Sequence, residues 1–134
     1  MSYQLVFDIK HRFKMTDPGI TIPVTLAADG YSVVSDAKVD MGAERCLFQR
    51  ELADRLNLDL ESGVFAKFGT LAGSVPAYGH RITIETLGIS FESLIFFHIA
   101  YGVPRNLLGI GGWLEHLHLA VTMDDETIYL KSIY

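Results

Sequence analysis

The stretch Val33-Val34-Ser35-Asp36-Ala37-Lys38-Val39-Asp40-Met41-Gly42-Ala43 decides how the chain is read. Residues 33–39 read as an extended strand. At Asp40 that strand runs out into a glycine turn, and Glu44-Arg45-Cys46-Leu47-Phe48 leads on toward a helical pattern. A carboxylate at a strand end, with glycine allowing close backbone approach, suits a catalytic acid or base. The same four residues, Asp40 to Ala43, also suit an ordinary Asp-x-Gly turn. The surrounding chain decides between the two.

Upstream, Tyr3, Leu5, Phe7, Ile9, His11, Phe13 and Met15 alternate with polar residues, broken only by Val6. This predicts one long half-buried strand. Asp17-Pro18-Gly19 is expected to turn the chain. Ile20, Ile22, Val24 and Leu26 alternate into a second strand, with a free side at Pro23, which lacks a donor for a ladder. Asp29-Gly30 is a hairpin signal, and Tyr31 to Asp40 is the return strand.

Downstream, Glu44 to Leu58 predicts the main helix, helical from about Gln49. Phe48, Leu52 and Leu56 would face the core, Glu51 and Arg55 would pair on the wet side, and Asn57 would cap the end. Gly63 to Gly79 holds four glycines and Pro76 among apolar residues, which suits a mobile hairpin. Arg81 to Thr86 alternates, Leu87-Gly88-Ile89 turns, and Phe91 to Ile99 reads as a buried strand. Pro104 to Leu114 breaks into glycines and a short helix from Trp113 to about Leu117. Leu117, Leu119 and Val121 suggest a return strand, Asp124-Asp125-Glu126 a turn, and residues 127–134 a closing strand. The tally predicts an all-β fold, a barrel or sandwich with a helical appendage.

Composition bounds the function. The chain has 134 residues, 49% hydrophobic and 20% charged, which suits one domain over 1–134. A net charge of -5 without a basic patch argues against nucleic acid as a partner. No apolar run approaches the roughly 20 residues of a membrane span. The single Cys46 cannot form an internal disulfide, and with no signal pattern at Met1-Ser2-Tyr3-Gln4-Leu5 a cytoplasmic setting is expected.

The order of features resembles the retropepsin-like aspartic proteases, the single-domain relatives of pepsin. Val24-Thr25-Leu26, Asp29-Gly30, Ala37-Lys38-Val39-Asp40-Met41-Gly42-Ala43, the Gly63–Gly79 hairpin and Asn106-Leu107-Leu108-Gly109 follow one another as that family's motifs do, over roughly residues 20–131. The tail from Arg105 also resembles a bacterial branch carrying Arg-Asn-x-Leu-Gly-x-x-Gly-Trp-Leu. The resemblance implies a closed or partly closed barrel, with one short helix after the catalytic turn and one near the C-terminus. It implies Asp40 as the catalytic residue, with Met41, Gly42 and Ala43 supporting its loop. Leu71, Ala72, Gly73 and Ser74 would form the flap, and Leu107, Leu108 and Gly109 the second supporting segment. The expected substrate is a peptide or protein, with no cofactor. Two carboxylates that share a proton are needed, because like charges about 3 Å apart cannot both ionise. With one Asp-x-Gly-Ala per chain, a homodimer would supply the pair.

Three departures stand out. Met41 occupies the place of a Thr or Ser whose hydroxyl bonds across the dimer axis in the family. Lys38 shares a strand face with Asp40, where an ammonium would favour the ionised carboxylate unless the side chain bends away to the cleft rim. Ile110 stands where many relatives carry Arg. Met41 leaves two alternatives beside a weak protease: a catalytically silent peptide-binding or interaction module, and a plain β-barrel interaction domain whose Asp-x-Gly is coincidental.

Other candidates have plainer explanations. His116 and His118 form a His-x-His without completing ligands, so no metal is expected. Cys46 reads as a buried apolar thiol, Asp36 as a solvated carboxylate, and Tyr78 and Trp113 as packing residues.

Overall fold

The computed structural model describes residues 1–15 and 19–134. The expected turn at Asp17-Pro18 lies outside the described residues. The chain is mostly strand, in two sheets. β2 (Thr21–Ala28) and β3 (Tyr31–Val39) form a hairpin, with Ala28 opposite Tyr31. Its turn is Asp29-Gly30, both at positive φ, 47° and 85°. That backbone matches the right-handed twist of the flanking strands and suits this residue pair.

The chain next makes β4 (Leu47–Phe48), the helix α1 (Arg50–Arg55), β5 (Val64–Thr70), β6 (Gly73–Thr86), β7 (Ile89–His98) and β8 (Leu107–Leu108). The sheet order is β2-β3-β8-β4-β7-β6-β5. β2 also pairs with β6 at Thr25–Ala27, so the run of pairings returns to its first strand. Pro23 lies opposite Asp36, outside the stretch paired to β6, so its missing donor costs no ladder bond on that side.

A second sheet, in the order β1-β10-β9, joins β1 (Ile9–Arg12), β9 (Leu117–Thr122) and β10 (Thr127–Ser132). The first strand is thus far shorter than the alternation over 3–15 predicts. β10 offers a partner only from Leu130 to Thr127, with one further bond from the Asp8 N–H to the Leu130 carbonyl. Tyr3, Leu5 and Val6 stay exposed. Alternation needs a neighbouring strand to become a sheet.

The helix is also shorter than expected. Phe48, Leu52 and Leu56 are buried as anticipated, but Phe48 belongs to β4 rather than α1. Asn57 takes the left-handed conformation, φ 56°, just past the helix end. The expected Glu51–Arg55 pair is replaced by Arg50–Asp54 at 3.4 Å, and Glu51 instead accepts the Gly102 N–H at 3.0 Å. The helix expected from Trp113 is a single 3-10 turn, Leu114–His116.

The main core gathers Ile22, Val24 and Leu26 of β2, Ile82 and Ile84 of β6, Leu52 and Leu56, and Ile128 and Leu130. Trp113 is fully buried there, and its indole N–H donates to Thr86 Oγ1 at 2.9 Å. No helix among the described residues is long and apolar enough to cross a membrane.

Candidate functional site

Asp40 stands one residue past β3, half-buried. Two sets of bonds fix it. Its N–H donates to the Leu108 carbonyl at 2.9 Å, continuing the parallel pairing of Lys38 with Leu107 and Val39 with Leu108. Its Oδ1 accepts the Gly42 N–H at 2.9 Å, and its carbonyl accepts the Ala43 N–H at 3.2 Å. The carboxylate therefore shapes its own turn, as Asp does in such turns. Among the described residues its other oxygen has no hydrogen-bond partner.

The turn is then sewn to the segment after β8. The Ile110 N–H donates to the Ala43 carbonyl at 2.9 Å, the Gly111 N–H to Glu44 at 2.8 Å, and the Cys46 N–H to Gly111 at 3.2 Å. Gly109 sits at the seam. A Cβ there would fall 2.2 Å from the Arg45 carbonyl oxygen and 2.8 Å from that of Ala43. Only glycine allows the two backbones to come this close. The expected neighbourhood of Asp40, Gly42 and Ala43 with Leu107, Leu108 and Gly109 is therefore present.

Cys46 lies beneath this seam, fully buried, and accepts the Gly109 N–H at 3.4 Å. Burial pushes its thiol up to about 12, so it stays protonated and unreactive. The packing role expected for Cys46 fits this position.

A cavity of about 310 Å³ opens beside the turn. Gly42, Ala43, Glu44 and Arg45 form one wall, Leu47 and Leu107 the floor, and Phe68, Gly69 and Thr70 of β5 the far wall. The β5–β6 hairpin thus faces the Asp40 turn, and the expected flap positions fall at its tip. Leu71, Ala72, Gly73 and Ser74 form the exposed tip and do not line the cavity. The sequence reading held Phe68, Gly69 and Thr70 within the Gly63–Gly79 hairpin but singled out neither them nor Arg45 as site residues. An aromatic beside a glycine, Phe68-Gly69, was the available signal on β5.

Met41 is 59% exposed and Ile110 47% exposed, so two apolar side chains flank the turn on the surface. Arg45 packs over Gly111: a Cβ there would meet its Cδ and Nη1 at 2.8 Å.

Lys38 leads away from the turn. Its aliphatic stem lies over Gly19, and it lines a second cavity, about 390 Å³, with Asp36, Arg105 and Asn106. Asn106, also missed as a site residue in its own right, is the buried anchor here. Its amide donates to Ser35 Oγ at 3.1 Å and to the Asp36 carbonyl at 2.9 Å, and its Oδ1 accepts the Gln49 N–H at 2.8 Å. One side chain thereby ties β3, the segment before β8 and the start of α1. A polar residue heading an apolar Leu-Leu-Gly run was the sequence signal.

His116 and His118 do not form a metal site with other ligands among the described residues. His116 stacks on Phe91 at 4.5 Å and bonds the Tyr134 hydroxyl, while His118 is exposed. Compared with known protein families and with curated proteins, the chain matches none.

Proposed function

We propose that the chain is a retropepsin-like barrel that works as an aspartic-type endopeptidase in a homodimer. The observation that carries this reading is the seam between the Asp40 turn and the end of β8, with the Asp40 N–H on the Leu108 carbonyl at 2.9 Å. It joins two of the motifs on which the family resemblance rests, though they lie far apart in sequence. The return of the pairings from β6 to β2 supports a barrel. The β5 wall facing the turn supports a cleft closed by a hairpin.

In this mechanism each subunit contributes one Asp40. The two carboxylates share one proton. The ionised one takes a proton from a water held between them, and the water oxygen attacks the peptide carbonyl. The protonated one donates to the carbonyl oxygen, and proton return to the leaving nitrogen completes cleavage. Gly42 N–H holds one Asp40 oxygen, which leaves the other free for the water. The exposed Met41 and Ile110 beside the turn suit a face that a second copy covers. The partners are a peptide or protein substrate and a second copy, with neither nucleic acid nor membrane, in a cytoplasmic setting.

Met41 supports a second reading, a silent peptide-binding module. The thioether cannot donate the cross-axis hydrogen bond that a hydroxyl would supply. A peptide-library cleavage assay on the native protein and Asp40→Asn separates the two readings. Cleavage that disappears in Asp40→Asn is expected of the protease. Peptide binding without cleavage in either protein would establish the module instead.

A further inference from the structure

The 390 Å³ cavity beside Lys38 is the larger of the two cavities flanking β3 and β8, and its chemistry differs from that of the cleft under β5. Its walls carry Thr21, Ser35, Asp36, Lys38, Arg105 and Asn106. Lys38 and Arg105 bring two cations, and Asp36 one anion, so the formal charge of the lining is positive. Lys38 pairs with Leu107, the second residue after Arg105, which brings the two cations to the same strand junction. Among the described residues neither cation is in an ion pair. The Asn106 amide, bonded to Ser35 and to the Asp36 carbonyl, holds the cavity wall rigid beneath them.

The cavity is also continuous in register with the candidate catalytic carboxylate. Lys38 precedes Asp40 by two residues, so their side chains leave the same side of the strand, about 7 Å apart along it, before the Lys38 stem bends over Gly19 into the cavity. A peptide laid across Asp40 would bring a neighbouring side chain over Lys38. An apolar side chain there would strip water from two cations without replacing it. A carboxylate would pair with Lys38 and accept from the Arg105 guanidinium fork.

We infer that this cavity is a specificity subsite for an acidic side chain, and that the substrates are peptides carrying Glu or Asp next to the bond held at Asp40. The inference rests on the reading of Asp40 as the catalytic carboxylate, and it deepens that reading by naming the substrate class. Ser35 and Thr21 supply hydroxyls for the remaining carboxylate lone pairs. Asp36 sets a limit on the pocket: it disfavours a second negative charge on the same ligand.

The test reads binding and cleavage separately. Paired peptides differing only by Glu against Gln are titrated into Asp40→Asn protein at low and high salt, with binding followed by calorimetry. The Glu peptide is expected to bind about fivefold to tenfold more tightly, since each partly exposed ion pair contributes about a twofold to fivefold gain. High salt should shrink that ratio, because exposed charges are screened. Lys38→Gln with Arg105→Gln should bring the ratio to about one, and Lys38→Glu with Arg105→Glu should turn the preference toward Lys peptides. Circular dichroism melts of each variant check that it is folded. Equal binding of Glu and Gln peptides to folded Asp40→Asn protein overturns the subsite. In the parent protein, a Glu preference in binding without any cleavage keeps the subsite and rejects the protease; cleavage with no acidic preference does the reverse.

Discussion

Single atoms decide much at the residue scale. Gly109 is the clearest case, because a methyl group there would overlap the Arg45 and Ala43 carbonyl oxygens. Neither oxygen belongs to a flexible side chain, so relief requires the Asp40 turn to move away from β8. Gly109→Ala is expected to cost about 1–3 kcal/mol, the range for overpacking. Thermal unfolding should then fall by at least about 3 °C for a domain of this size. An unchanged melting temperature would mean that the seam is looser in solution. His98 gives a pH-dependent prediction. It is buried at the end of β7, and burial lowers its pKa below the ordinary 6.5, partly offset by Glu51. Below pH 6.5 the unfolded chain binds a proton that the folded chain refuses. Stability therefore drops as pH falls through that value toward the lower folded pKa. His98→Gln should lose less stability than the parent between about pH 7 and about pH 5, read from urea midpoints. Equal losses would show that His98 is not held neutral.

Among the elements, the β5–β6 hairpin has two unlike halves. Two residues short of its last pair, Phe68 and Val75 pack on Leu47, Ala77 and Phe96, with the Phe68 and Phe96 rings edge-on at 5.0 Å. At its tip, Leu71 is fully exposed and packs on nothing. The hairpin is thus anchored to the β4–β7 junction just short of its tip, while Leu71 itself stands free. Leu71→Asp should leave folding stability within about 0.5 kcal/mol, as exposed substitutions do. Under the protease reading the same change should weaken peptide binding, since the tip is the part that would close on a ligand. A fall in stability of more than about 1 kcal/mol would mean that the tip is packed in solution. The edge position of β5, paired among the described residues with β6 alone, leaves its outer backbone groups open as well.

For the whole molecule, the question is assembly. One Asp40 per chain requires two chains for the proposed chemistry. Met41 lies on the exposed side of the turn, where it can affect assembly without disturbing the fold. A Thr at this place would supply one cross-axis hydrogen bond per subunit, about 1 kcal/mol each. Met41→Thr should therefore tighten the dimer by roughly tenfold to thirtyfold. Sedimentation equilibrium measures that change directly. Cleavage below the dimer dissociation constant should rise by a similar factor, and the gain should shrink at saturating protein. If Met41→Thr leaves association and cleavage unchanged, the Met41 side chain is accommodated and the cost assigned to it is wrong.

What the sequence determined by itself was local. Asp29-Gly30 defined its hairpin because that pair tolerates positive φ, and Asn57 marked the helix end for the same reason. The alternation over 20–26 and 81–86 identified strands because each has partners on hand and one buried face. The Asp40-Met41-Gly42-Ala43 turn and the Leu107-Leu108-Gly109 segment were legible as motifs, since each depends on neighbours in sequence. Only the tertiary structure decided how far a pattern extends. Tyr3 and Leu5 alternate correctly yet stay outside the sheet, for want of a partner strand. The contacts that define the site also came from the fold alone. Asn106 reaches Ser35 and Gln49 across 71 and 57 residues, and Phe68 meets the Asp40 turn through a shared cavity. Such contacts depend on sheet order, and sheet order follows from which strands can bury each other's apolar faces, a property of the whole chain rather than of any stretch within it.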